Sequence, residues 1–151
     1  AKQQKVTDYT NQLEALDRAE LNAMRELQGA GLTDVQRNAQ AREVSRRFAF
    51  EKADVALLQS AANRDLETAS NIINRKIQLT LEPLQTQLTF TKMFYDDNRQ
   101  DLSKAEDKAF NLKINELNRK YEDTKTLEKY KGDIALEAVK NGVPIPSYVQ
   151  A

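Results

Sequence analysis

The chain predicts an all-α fold: an elongated, antiparallel, coiled-coil-like domain of three long helices, the central one kinked near Pro83. Three observations lead there. Apolar residues recur at three- and four-residue steps over most of the 151 residues, a spacing that lines them along one face of a helix. Breaker residues collect almost only between or after those stretches, at Gly29-Ala30-Gly31, Asp96-Asp97-Asn98 and Asn141-Gly142-Val143-Pro144-Ile145-Pro146. Charged residues make up 30% of the chain, Trp is absent and the mean hydropathy is −0.72, a mixture that suits solvated helices with a narrow apolar seam.

The first helix spans about 2–28, with Val6, Tyr9, Leu13, Leu16, Ala23 and Leu27 on one face. Gly29 is expected to supply the left-handed residue that closes a helix C-terminus. The second helix spans about 33–98 and opens on Thr33-Asp34-Val35-Gln36. Thr33 caps the free amides, Gln36 reaches back to complete a capping box, and Asp34 opposes the positive end of the dipole. Its seam runs through Val35, Ala39, Val44, Phe48, Val55, Leu58, Ala62 and Leu66, then through Ala69, Ile73, Ile77, Leu81, Leu84, Leu88 and Tyr95. Between Leu58 and Tyr95 the mean step exceeds that of a heptad, so the seam should run straight or slightly right-handed. Pro83 falls within it and costs about 3 kcal/mol inside a helix. A kink near Leu79, whose carbonyl loses its partner, is the expected compromise. Glu82 is the only charge across residues 77–91, which predicts cover from more than one neighbouring helix.

The third helix spans about 103–141 and starts at a second capping box, Ser103-Lys104-Ala105-Glu106. Phe110, Ile114, Leu117, Tyr121, Thr124, Leu127 and Ile134 form its seam, and Lys120 lies off it. Helices 2–28, 33–98 and 103–141 thus make one helical domain, 1–140. Residues 141–151 read as a Pro-containing linker to a further element, in which Ser147 caps a short helix. An unbroken central helix would be about 100 Å long. Its short connections require both outer helices to fold back antiparallel. Turns centred near Gly31 and Gln100 then place Ala1 and Lys140 both beside Ala61, with Ala61-Ala62 at the junction. Entry and exit side by side are expected of an arm inserted into a larger protein, and the chain reads as a segment of one: it has no initiator Met and no signal pattern at its start.

Composition excludes most chemistry. With 23 basic and 23 acidic residues there is no global field to draw nucleic acid or an anionic membrane. Without His there is no imidazole catalysis, and without Cys no thiol catalysis, thiolate metal site or disulfide. No glycine-rich phosphate loop is present, and no apolar run is long enough to cross a membrane. Asp96, Asn98 and Gln100 have the alternate spacing of a calcium loop. Asp101, however, stands where such a loop needs Gly, and Asp107 where it needs Glu. The segment therefore reads as a polar turn, and no metal or cofactor is expected. Arg42, Arg46, Arg47 and Lys52 beside Phe48 and Phe50 are interleaved with Glu43, Glu51 and Asp54, the pattern of a solvated face rather than of a nucleic-acid groove. Phe90, Met93 and Phe94 lie beside the seam near the second turn. They either plug the hairpin core or form an exposed patch for docking a protein partner, and are the candidate partner-docking residues.

Residues 81–142 resemble the long helical regions of phage and other virion structural proteins. The resemblance rests on Pro83-Leu84-Gln85, on Phe94-Tyr95, on the cap at residues 102–106, and on Ile134-Ala135-Leu136-Glu137-Ala138-Val139-Lys140-Asn141-Gly142 before a Pro-rich turn. It implies a non-enzymatic segment of a tail or tail-associated assembly, placed in the virion or the cytoplasm, and it transfers no functional residue. The expected function is a structural or assembly element of a larger protein, as a homo-oligomer or among neighbouring subunits. The alternative is a helical adaptor that docks a different protein.

Overall fold

The computed structural model describes residues 2–150, and the side chains of residues 4–149. Helices α1 (Lys2–Gln28), α2 (Asp34–Asn63) and α3 (Leu66–Asn98) are followed by a 3-10 turn, Arg99–Asp101, and by α4 (Lys104–Asn141) and the short α5 (Ser147–Gln150). Among the described residues there is no strand, so the fold is all-α. The chain forms two compact units, Ala1–Lys76 with Gly132–Ala151, and Ile77–Lys131. Both α3 and α4 contribute to each.

There are four long helices rather than three, because the expected central helix is interrupted well before its proline. Arg64 adopts the left-handed conformation, φ 55° and ψ 37°, and is the only described non-glycine residue with positive φ. The Arg64 amide donates to Ala61 and the Asp65 amide to Ser60, the paired bonds of a Schellman C-cap. Asp65 then starts α3, its carboxylate accepting from the Thr68 amide at 3.1 Å and from the Thr68 hydroxyl at 2.7 Å. Those two bonds, the hydroxyl's first, hold the Asp65 carboxyl below its ordinary range. From there α3 runs on through Pro83 without interruption.

Glycine usually fills a left-handed cap, yet here Arg64 does. Its guanidinium donates to the Lys140 carbonyl at 3.0 Å, in the last turn of α4. A cation there satisfies an orphan acceptor and opposes the negative end of the helix dipole. Gly142, at φ 68°, closes α4 with the same bond pattern, Gly142 to Val139 and Val143 to Ala138. A Cβ on Gly142 would lie 3.3 Å from the Arg64 guanidinium carbon, so the two caps need one glycine and one arginine.

In the first unit α1 and α2 are antiparallel. Gln59 donates to the Val6 carbonyl and the Thr10 hydroxyl, and Lys52 reaches Asp17 and Glu20. This pairing is displaced from the expected register by about one to three turns. The left-handed residue of the connection is Gly31, not Gly29, and the chain then runs extended to the Thr33 cap. The first turns of α2 therefore overhang α1, which leaves the seam positions Val35 and Ala39 exposed. After the break, α3 turns back along α2: Lys76 pairs with Asp54 and sits 5.2 Å from the centre of the Phe50 ring. The unit buries Phe48, Ala53, Leu57, Ala69, Ile73, Ala135, Ala138 and Val139. Ile145 and Val149, after the α4 cap, are buried in it too. The end-to-end junction expected along an unbroken central helix does not arise, because α2 ends at Asn63; Ala61 and Ala62 instead line a groove with Lys5, Tyr9 and Gly142, and Ala1 lies outside the described residues. In the second unit Leu79, Leu81 and Leu117 are buried.

Candidate functional site

The site is built on α3 within the second unit. Leu81 is buried, and Leu84, Leu88 and Tyr95 on the same side of the helix are half-buried. The opposite face carries Glu82, Thr86, Thr89, Phe90, Met93 and Asp97, all exposed, at steps of three and four residues. More than one neighbouring helix is expected to cover this low-charge stretch; from Glu82 onward the stripe is open.

Phe90, Met93 and Phe94 are 65%, 54% and 54% exposed. They do not plug the hairpin core. They form the wall of a groove of about 580 Å³ that Thr91, Asp97 and Phe110 complete, and a second groove reaches from Phe90 back to Glu82. Phe94 is nevertheless held. Its ring stacks on Phe110 of α4 with centroids 5.5 Å apart and planes at 28°, and Tyr95 leans on the same ring at 6.0 Å. The Tyr95 hydroxyl donates to the Asp107 carboxylate at 2.5 Å, and the Asn111 amide donates to Asp107 as well. The exposed aromatics thus stand on a cross-braced aromatic platform, not on a mobile loop. Such a surface offers apolar area already ordered before binding.

The other candidate clusters are occupied internally. Arg46 forms a forked pair with Glu43, 2.6 Å at its shorter arm, and that hydrogen bond draws the Glu43 carboxyl below its ordinary range. Arg47 lies over its neighbour Phe48 at 5.3 Å. Lys52 is clamped by Asp17 at 2.6 Å and Glu20 at 2.5 Å; these hydrogen bonds, Asp17's first, hold its ammonium charged to higher pH than usual. Two of the four cations in the patch, Arg46 and Lys52, are thereby paired with carboxylates of α1 and α2. Asp96, Asp97 and Asn98 end α3 and Asp101 ends the 3-10 turn. Among the described residues, no group of three carboxylates is placed to hold a metal ion, and no helix is long and apolar enough to cross a membrane.

The candidates Phe90, Met93 and Phe94 are thus brought together by α3, with Phe110 from α4 beneath them. What the sequence reading missed is that Glu82 and Asp97 share their face. Its only signal was the interval 83–91, which carries no charge. No family model, no curated protein and no solved structure matches this chain.

Proposed function

We propose that this chain is a non-enzymatic structural and assembly element of a larger protein, its helices pairing through coiled-coil-like seams, of the kind found in tail-associated virion assemblies. Its partners are protein surfaces of neighbouring subunits, not nucleic acid or membrane. The observation that supports the reading best is the aromatic surface of α3. Large apolar side chains at that level of exposure stand on a braced platform, and apolar patches of this kind mark protein contacts. Supporting it, the chain has no His and no Cys, and in the basic patch of α2 both Arg46 and Lys52 are paired with carboxylates.

The test is a turnover screen of the purified chain against ester, phosphoester, glycoside and peptide substrates, run beside static light scattering. The expected result is no turnover. A reproducible rate abolished by one carboxylate substitution would sink the reading.

A further inference from the structure

We propose that the open face of α3 between Glu82 and Asp97 seats an amphipathic helix from a different chain, one that carries apolar residues at three- and four-residue spacing and a Lys or Arg at each end. The inference rests on the assembly reading above and names the kind of partner it implies.

Four features carry it. The first is periodicity. Glu82, Thr86, Thr89, Phe90, Met93 and Asp97 follow the pattern by which one helix accepts another. The second is length, since the interval spans about 22 Å at about 1.5 Å per residue, room for a partner helix of roughly four turns. The third is order. Phe94, beside the stripe near its Asp97 end, is stacked on Phe110, and Phe110 is braced by Tyr95, so this anchor is preorganised, as the energetically dominant residues of an interface tend to be.

The fourth is charge, and it selects the partner. The face is bounded by a carboxylate at each end, Glu82 and Asp97, with no cation between them along it. Lys92 lies beside the stripe rather than on it, about 80° round the helix from Glu82 and about 100° from Met93, at 100° per residue. A second copy of this chain is a poor occupant. An antiparallel two-fold pairing of the stripe sets Glu82 of one copy against Asp97 of the other. A parallel two-fold pairing sets each carboxylate against itself. Both oppose like charges at the two ends of the contact, which costs affinity and selects against that partner. A helix with basic ends meets complementary charge at both.

The experiment uses the whole chain and a synthetic amphipathic peptide of about 18 residues, enough to span the stripe. The peptide has Leu at three- and four-residue spacing and Lys at both ends. A second peptide is identical except for Glu at the ends. Fluorescence anisotropy at low ionic strength should show saturable binding of the Lys-ended peptide and binding at least about tenfold weaker of the Glu-ended one. Added salt should narrow that gap. In a chain carrying Glu82→Lys and Asp97→Lys the preference should invert. Phe90→Ser should weaken the Lys-ended peptide by about tenfold or more, with unchanged helicity by circular dichroism.

Equal affinity for the two peptides, no saturable binding of either, or a preference that survives the charge reversal overturns the proposal. So does light scattering that reads a multimer dissolved by Met93→Glu, which assigns this face to a second copy. None of those outcomes bears on the turnover screen, and turnover would sink the assembly reading while leaving the peptide result standing.

Discussion

Among the described residues before residue 60, the first unit exposes only Leu21 and Val35 of its large apolar side chains, whereas the second unit exposes Phe90, Met93 and Phe94 within five residues of one helix. In the first, α2 is approached by two neighbours: Leu13 of α1 and Ile72 of α3 line one groove with Ala49, Ala53 and Ala56. Its core includes four alanines, Ala53, Ala69, Ala135 and Ala138, and small residues let helix backbones approach closely. In the second, only α3, the 3-10 turn and α4 are present. Two helices can cover one side of each other and no more. Exposure of the Phe90 face therefore follows from the number of helices available, not from a shortage of apolar sequence. An apolar stripe that its own unit has no helix to cover is a stripe available for another chain.

The largest expected effect tests where the thin core of the second unit lies. Leu117 is buried and Lys120 is exposed. Leu117→Asp removes apolar contact and buries an unpaired charge, at about 4 kcal/mol or more. Lys120→Asp should change stability by about 0.5 kcal/mol or less. Thermal melts monitored by circular dichroism decide it, and equal midpoints would show that α4 does not present this face inward.

Next in size is Leu57→Ala in the first unit, where Leu57 is 2% exposed. Truncation there should cost about 2–5 kcal/mol by chemical denaturation. A loss below about 1 kcal/mol would mean that the alanine-rich surroundings close over the cavity, and that this core is less tightly specified than its burial implies.

Leu57 also marks where sequence reading reaches its limit. A single-partner seam runs through Phe48, Val55 and Leu58, yet of these only Phe48 is buried, and the deepest positions of α2 are Leu57 and Ser60. The face shifts because α3 doubles back onto α2, which no seam drawn for a straight helix anticipates. The helix starts were legible. Both capping boxes form as the residues dictate, Thr33 with Gln36 and Ser103 with Glu106. The end at Asn141-Gly142 was legible for the same reason, a glycine where φ must be positive. The break at Arg64 was not. Its left-handed residue is an arginine, and Ala62, Leu66 and Ala69 continue the apolar spacing straight across it. The one local signal was Asp65 three residues before Thr68, a cap whose force depends on Leu66 being the first residue of a helix. Leu66 is 42% exposed, as a first-turn residue and not a seam residue would be. Pro83 drew attention instead, and α3 carries it on an exposed face. The docking trio could be located in the sequence, but whether it faced inward or outward depended on how many helices the second unit holds.

A smaller effect on stability separates the displayed aromatics from the hidden ones. Phe90→Ser should leave the melting midpoint nearly unchanged, within about 0.5 kcal/mol, because the ring is already largely in water. Leu81→Ser, two turns earlier and 6% exposed, should be clearly destabilising. If Phe90→Ser unfolds the second unit instead, the ring belongs to its core and the contrast between the units collapses.

The smallest effect lies at the turn that makes the first unit what it is. Asp65 accepts hydrogen bonds from the hydroxyl and the amide of Thr68, and these favour its ionised form. Its folded-state pKa therefore lies below the unfolded value, ordinarily about 3.9 for an aspartate. The bond's contribution to stability is present in full above that unfolded value and disappears as pH falls through the lower folded one. Thr68→Val removes the hydroxyl donor, the larger of the two causes, and keeps the amide. An NMR titration of the Asp65 side-chain carboxyl should then show its midpoint moving up toward the ordinary value. The stability difference between the two proteins, visible at neutral pH, should shrink once both are held below the folded midpoint. Identical Asp65 midpoints in the two proteins would mean that the hydroxyl does not hold the carboxylate in solution. The start of α3, and with it the fold-back onto α2, would then depend on the Thr68 amide bond and the Arg64 cap.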